Sequence, residues 1–296
     1  MTLQKKATVV ASLTSFLLVM IKLTVGIFSG SVAVLASAID SVLDLIVSLF
    51  NFFAVSKSEQ PADNKFNYGR GKIEALAAVI EGTVITISGL YIFYAAVMKF
   101  YEGSSTKMLD VSIVVMLLSL LITIALVVYL NGVAKKTNSL VIKSDALHYK
   151  TDIYSNGAIL VALVLVQWSG YEVIDSIVGG MIAVFIIYSA YELIQEGVYV
   201  LLDGALDEEI VLEIKSIIGS EKGVTGFHFL RTRHSGNTNY VDVHLVFTPD
   251  VLLLEAHRAS DKIEDAIQAL DKENEWVMNI HLDPYDDSHI EDHHRD

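Results

Sequence analysis

Six apolar runs of roughly 20 residues or more, the length a bilayer core demands, fill the first two hundred positions of this chain. They cover approximately residues 7–28, 32–55, 74–99, 109–131, 147–168 and 173–199. In hydrocarbon every backbone polar group must be bonded internally, so runs of this length are expected to span as helices. The first follows Lys5 and Lys6, as a signal peptide would. Its apolar stretch is too long for one and a second run follows at once, so it reads as an uncleaved span.

The loops set an orientation. Lys57, Lys65, Arg70 and Lys72 lie between the second and third runs, and Lys135, Lys136 and Lys143 between the fourth and fifth. The loop around Gly30 has no charge, and that around Gly170 has only Glu172 and Asp175. An excess of Lys and Arg marks the cytoplasmic side, so the N-terminus, the 56–72 and 132–146 loops and the C-terminal portion are expected in the cytoplasm. Lys22, inside the first run, is expected to snorkel to the outer interface.

Composition changes abruptly near Asp203. The chain is 53% hydrophobic with a mean hydropathy of +0.50, yet residues 203–296 hold 21 acidic against 8 basic side chains, −13 of the total −14. Eight of the nine histidines also lie there. An acidic, His-rich portion suits divalent cations and argues against nucleic acid. Cysteine is absent, so any metal ligands are nitrogen and oxygen. Residues 207–218 and 252–270 have helical spacing, whereas 226–233, 239–247 and 275–282 alternate like strands. The order α-β-β-α-β predicts a small ferredoxin-like or metallochaperone-like α+β domain with helices on one face of an open sheet. The expected organisation is a six-helix all-α transmembrane domain over 1–202, a cytoplasmic metal-binding domain over 203–285, and an acidic, His-rich disordered tail over 286–296.

Polar residues inside the runs carry the chemistry. On one helix Asp145, His148, Asp152 and Asn156 recur every three or four residues and share a face. On the second run Asp40 and Asp44 do the same, with Ser37, Ser48 and Asn51 extending the stripe. Ionisable groups at this depth are costly unless they face a partner or a cavity. Asp40, Asp44, His148 and Asp152 converging between two helices would form a four-ligand site for a divalent cation. His148 favours Zn²⁺, Fe²⁺, Cd²⁺ or Co²⁺ over a manganese specialist. When the metal leaves, the same groups can take protons. A hydrolytic zinc enzyme is disfavoured because no general base stands beside the ligands, and a membrane metal sensor is the remaining alternative.

Taken together, D-x-x-x-D on the second run, H-x-x-x-D on the fifth, G-x-G-K-x-E from Gly69 to Glu74 and the α-β-β-α-β portion resemble the cation diffusion facilitator family. The likeness is greatest to its bacterial ferrous-iron/zinc efflux branch. It implies a homodimer in the bacterial inner membrane that exchanges Zn²⁺, or Fe²⁺ or Cd²⁺, for protons by alternating access. It also implies a transport site at Asp40, Asp44, His148 and Asp152, and a pairing of Lys72 with Asp203. In the cytoplasmic domain it implies a binuclear zinc site drawn from His228, His244, His257, His281 and Asp283. His234 and the tail residues His289, His293 and His294 have no counterpart role. Relatives place an Asp and two His before the third span. Here Asp63 survives but Phe66 and Arg70 replace the histidines, so this loop is not expected to bind metal.

Overall fold

The computed structural model describes residues 1–29, 32–102, 110–169, 173–272 and 274–286, with some helical side chains in these ranges left undescribed. The tail histidines His289, His293 and His294 lie outside them. The chain divides into two compact units, Met1–Val198 and Tyr199–Asp296, and each is described by itself.

Six long helices build the first: α1 (Leu3–Ser29), α2 (Val32–Ser58), α3 (Lys72–Glu102), α4 (Asp110–Thr137), α5 (Leu140–Ser169) and α6 (Val173–Leu201). The chain's prolines, Pro61, Pro249 and Pro284, all fall outside helices and strands. Among the described residues five stretches are long and apolar enough to cross a membrane: Leu3–Val25, Ser41–Ser58, Lys72–Met98, Leu117–Thr137 and Gly179–Leu201. The sixth expected span, 147–168, falls on α5, where most side chains lie outside the described residues. α5 also starts at Leu140, well ahead of its apolar run. A short link sets that start. Asn138 takes the left-handed conformation (φ 48°) just past α4, as helix C-termini favour, and its N–H bonds to Ala134 O at 2.9 Å.

α5 packs on α3 and α4, and α2 packs on α1 and α3. Close approach of α6 to α3 depends on glycine. A Cβ on Gly197 would stand 2.7 Å from Val79 Cγ2 and 3.0 Å from the Ala75 carbonyl oxygen, the small-residue contact that membrane helices use to bring backbones together. Lys22 differs from expectation. Its Nζ donates to Ser41 Oγ at 2.8 Å, and Ser41 is fully buried, so the ammonium turns inward to α2 instead of outward to the interface.

The second unit has α7 (Glu208–Ser220), β1 (Gly226–Ser235), β2 (Thr238–Val246), α8 (Leu253–Gln268) and β3 (Glu275–Asp283). Central β2 pairs antiparallel with β1 and parallel with β3. Gly236, at φ 62°, opens the two-residue hairpin between the first two strands, where left-handed backbone is favoured. The parallel pairing needs a crossover, which α8 supplies. Val241, Val243 and Leu245 on β2, Trp276 on β3, Ile214 and Ile218 on α7, and Ile263 and Ile267 on α8 form one core. Side chains alternate along a strand, so His244 stands on the sheet face opposite Val243 and Leu245.

Candidate metal centres

α2 and α5 bring three of the four expected membrane ligands together. One ligand atom from each of Asp44, His148 and Asp152 lies within 4.8 Å of the others. His148 Nε2 is 3.2 Å from Asp44 Oδ1, and both side chains are half-buried at 17% exposure. His148 and Asp152 share a face because they are i and i+4 on α5. Two carboxylates and an imidazole suit a borderline divalent cation. Asp40 sits on α2 one turn before Asp44, but its side chain lies outside the described residues, as do those of Ser37 and Asn156.

The residue that anchors α5 was not legible as such from its neighbours in the chain. Tyr149, next to His148, is buried at 1% exposure. Its hydroxyl meets Ser15 Oγ on α1 at 2.5 Å and Ser48 Oγ on α2 at 2.6 Å, and its ring meets the His148 imidazole edge-on at 5.6 Å. Ser48 therefore anchors Tyr149. Asn51, from the same predicted stripe, donates through Nδ2 to Glu81 Oε2 at 3.0 Å and to Asp145 Oδ1 at 3.2 Å. Asp145, expected on the ligand face, is joined instead to a glutamate of α3. Nearer the helix ends, buried Glu74 accepts hydrogen bonds from Ser58 at 2.9 Å and Ser139 at 2.5 Å, tying α2, α3 and the start of α5 together.

The second cluster arises from strand register. His228, His244 and His281 are direct neighbours across β1, β2 and β3. Their rings are 5.0 Å apart for the first pair and 4.6 Å for the second. Asp283, 4% exposed, is the hub. Its Oδ2 lies 3.2 Å from His228 Nε2 and 3.0 Å from His244 Nδ1, and its Oδ1 lies 3.0 Å from His281 Nε2. His228, His244 and Asp283 present ligand atoms within 4.8 Å of one another, a nitrogen and oxygen set that fits zinc. A bulge aims His228: the register slips between His228 and Arg231, and Phe229 takes a left-handed φ of 50°. Bulges re-aim side chains in this way, and the sequence carried no sign of this one. Asp286 Oδ1, 3.4 Å from His228 Nδ1, is a further neighbour. His257 stands apart on α8, 64% exposed and 3.7 Å from Asp261. His234 bonds Asn239 at 2.7 Å at the hairpin end.

Two other expectations concern single pairs. Asp203 (φ 59°) accepts from Arg233 Nη1 at 3.0 Å, a partner the sequence did not suggest, while Lys72 opens α3. In the 59–71 loop Asp63 accepts from the backbone N–H groups of Lys65 and Phe66, both at 2.8 Å, and from Arg70 Nη2 at 2.6 Å. The guanidinium also stacks over the Phe66 ring at 4.3 Å. The Arg70 hydrogen bond, aided by the two backbone donors, holds the Asp63 carboxyl below its ordinary range.

Comparison with known proteins identifies the two parts of the chain by family. Residues 8–202 match the cation efflux transmembrane domain and residues 206–285 the cytoplasmic domain of cation efflux proteins. The chain is 38% identical over 282 residues to the cation-efflux pump FieF of Citrobacter koseri, covering 95% of this chain and 93% of that one. The FieF pump of Klebsiella pneumoniae is 36% identical over the same shares. A solved structure of CzrB in its Zn form is 28% identical over 27% of this chain and 90% of that one, at a TM-score of 0.25. This chain therefore belongs to the cation efflux, or cation diffusion facilitator, family of membrane metal transporters.

Proposed function

We propose that this protein exports divalent metal cations from the cytoplasm in exchange for protons, by alternating access. Zn²⁺ is the favoured substrate, with Fe²⁺ and Cd²⁺ as further candidates. Asp40, Asp44, His148 and Asp152 hold the ion in the membrane. One observation carries this reading: Asp44, His148 and Asp152 come from two separate helices and converge within 4.8 Å. A divalent ion bound there offsets the cost of carboxylates inside a bilayer, roughly 2.5–3.5 kcal/mol each. Metal binding needs these groups deprotonated, so each departing ion leaves vacant acceptors for protons, which is the chemical basis of exchange.

In this reading the protein is a homodimer in the lipid of a bacterial inner membrane, with both termini cytoplasmic. Residues 1–202 transport, and 203–285 bind metal and dimerise. Zinc held by His228, His244, His281 and Asp283 has a structural role, with His257 contributing at the dimer contact. Lys72 and Asp203 pair near the membrane surface.

The test is zinc uptake into proteoliposomes under an imposed pH gradient, comparing the native chain with Asp44→Ala. Gradient-driven flux that the substitution abolishes is expected. Equal flux from both proteins would remove Asp44 from the transport path. Flux from neither, with Fe²⁺ and Cd²⁺ also inert, would favour a metal sensor.

A further inference from the structure

Beside the metal cluster lies a second buried polar group that the cation ligands do not use. Asn51 of α2 and Asp145 of α5 are both 0% exposed, and Glu81 of α3 is 3% exposed. The Asn51 amide bridges the two carboxylates, at 3.0 Å to Glu81 Oε2 and 3.2 Å to Asp145 Oδ1. Ser144 Oγ also reaches Glu81 Oε2. Among the described residues three atoms in this group find no hydrogen-bond partner: Glu81 Oε1, Asp145 Oδ2 and Asn51 Oδ1. All three are acceptors. A buried acceptor without a donor costs free energy, and here the shortage is of hydrogens alone.

A proton supplies the missing donor. Placed on Asp145 Oδ2 or Glu81 Oε1, it turns one orphan acceptor into an O–H donor with other orphan acceptors in the same group. It also removes the repulsion of two carboxylates sharing a dry site, which cannot both ionise cheaply. Among the described residues no lysine or arginine bonds to either carboxylate. The titratable groups acting on the pair from the neighbouring elements are Asp44 of α2 and His148 of α5, with Tyr149 beside Asp145. Both Asp44 and His148 are committed to the cation when it is bound. A hydrated metal at this position fits less well, because two carboxylates and one amide leave a divalent ion short of ligands in a site closed to solvent.

We propose that Glu81 and Asp145, bridged by Asn51, form a proton-carrying site separate from the metal ligands and hold one proton between them. Asp145 precedes His148 by three residues on α5, about 4.5 Å of helix rise, so movement of α5 at the metal cluster also moves Asp145 relative to Glu81 on α3. This inference rests on the proton-exchange reading above for its role in transport, but occupancy of the site by a proton does not.

The two are tested separately. Difference infrared spectra of the full chain in nanodiscs, recorded in H₂O and D₂O at neutral pH, report protonated buried carboxyls through their C=O stretch. A deuterium-sensitive band present in the native chain and lost in both Glu81→Gln and Asp145→Asn is expected, with the band kept in Asp44→Ala. Absence of such a band in the native chain would overturn the proposal, and that measurement needs no variant to fold. In proteoliposomes Glu81→Gln should still bind zinc at the membrane cluster, while its flux loses steepness against internal pH. A flux profile parallel to the native one would reduce the pair to a structural contact. Loss of all gradient dependence in the native chain would instead sink the antiport reading and leave the infrared result standing.

Discussion

The two candidate metal clusters of this molecule are built by opposite means. In the membrane unit the ligands come from spacing along single helices, i and i+4 on α5, and one interhelical approach of 3.2 Å between His148 and Asp44 completes the set. In the cytoplasmic domain no two ligands owe their proximity to helical spacing. Register places His228, His244 and His281 in one row, a bulge turns the first of them, and a single buried carboxylate touches all three. A helix cluster thus distributes its function over separable ligands, whereas the sheet cluster concentrates it on Asp283. Different substitutions should therefore disable each.

The largest effect expected is in the membrane. Asp152→Ala removes one proposed ligand, and metal flux should fall to background while zinc bound by the cytoplasmic domain is unchanged. Asp283→Asn should do the converse. It keeps shape but removes the charge shared by three imidazoles, and zinc affinity of the cytoplasmic domain should fall at least about 100-fold, the upper range for disturbing the groups that support a metal site. Flux should fall less. Equilibrium dialysis beside vesicle flux measures both, and a variant that lost both properties together would show that the clusters are not independent.

Next comes the anchor of α5. Tyr149→Phe strips the hydroxyl that joins Ser15 on α1 to Ser48 on α2. It leaves two buried hydroxyls without that partner, a cost of about 1–3 kcal/mol. A lower thermal midpoint in detergent, with zinc affinity at the membrane cluster reduced but not abolished, is the expected result. An unchanged midpoint would mean that the other contacts of α5, polar and apolar, hold it without this hydroxyl.

The same contrast explains what was legible in the sequence. Helices were visible because their apolar runs are continuous, and Asp44, His148 and Asp152 because i,i+4 pairs announce a shared face. Strands were visible through alternation, which also put His281 and Asp283 on one side of β3. Non-local partners were not visible. Glu81 reads as a lone acid in an apolar run, since its partners are 30 residues away at Asn51 and 63 at Ser144. Tyr149 reads as one more aromatic, because nothing in its neighbourhood names Ser15, 134 residues before it. The family resemblance implied Lys72 as a partner of Asp203, and Arg233 became visible as another only once β1 was formed. Phe229 gave no hint of its bulge, because a bulky side chain at positive φ runs against local preference and persists only where the surrounding sheet imposes it.

The smallest effect tests a loop that is not expected to bind metal. Asp63, Phe66 and Arg70 form a closed clasp in which the guanidinium stands where a cation would. Arg70→Ala should leave flux at the native level at neutral pH and should raise only the rate of proteolytic cutting within residues 59–71. The sign with pH follows from the lowered Asp63 titration. The clasp contributes fully above the ordinary Asp range and is lost as pH falls through the lowered value. Acid should therefore make the native loop as cleavable as that of the variant, whereas at neutral pH the two differ. Because Asp63 and its partners are open to solvent, high salt should narrow that difference as well. If Arg70→Ala changed zinc flux appreciably, the loop would take part in transport after all, as a third site beside the two candidate clusters.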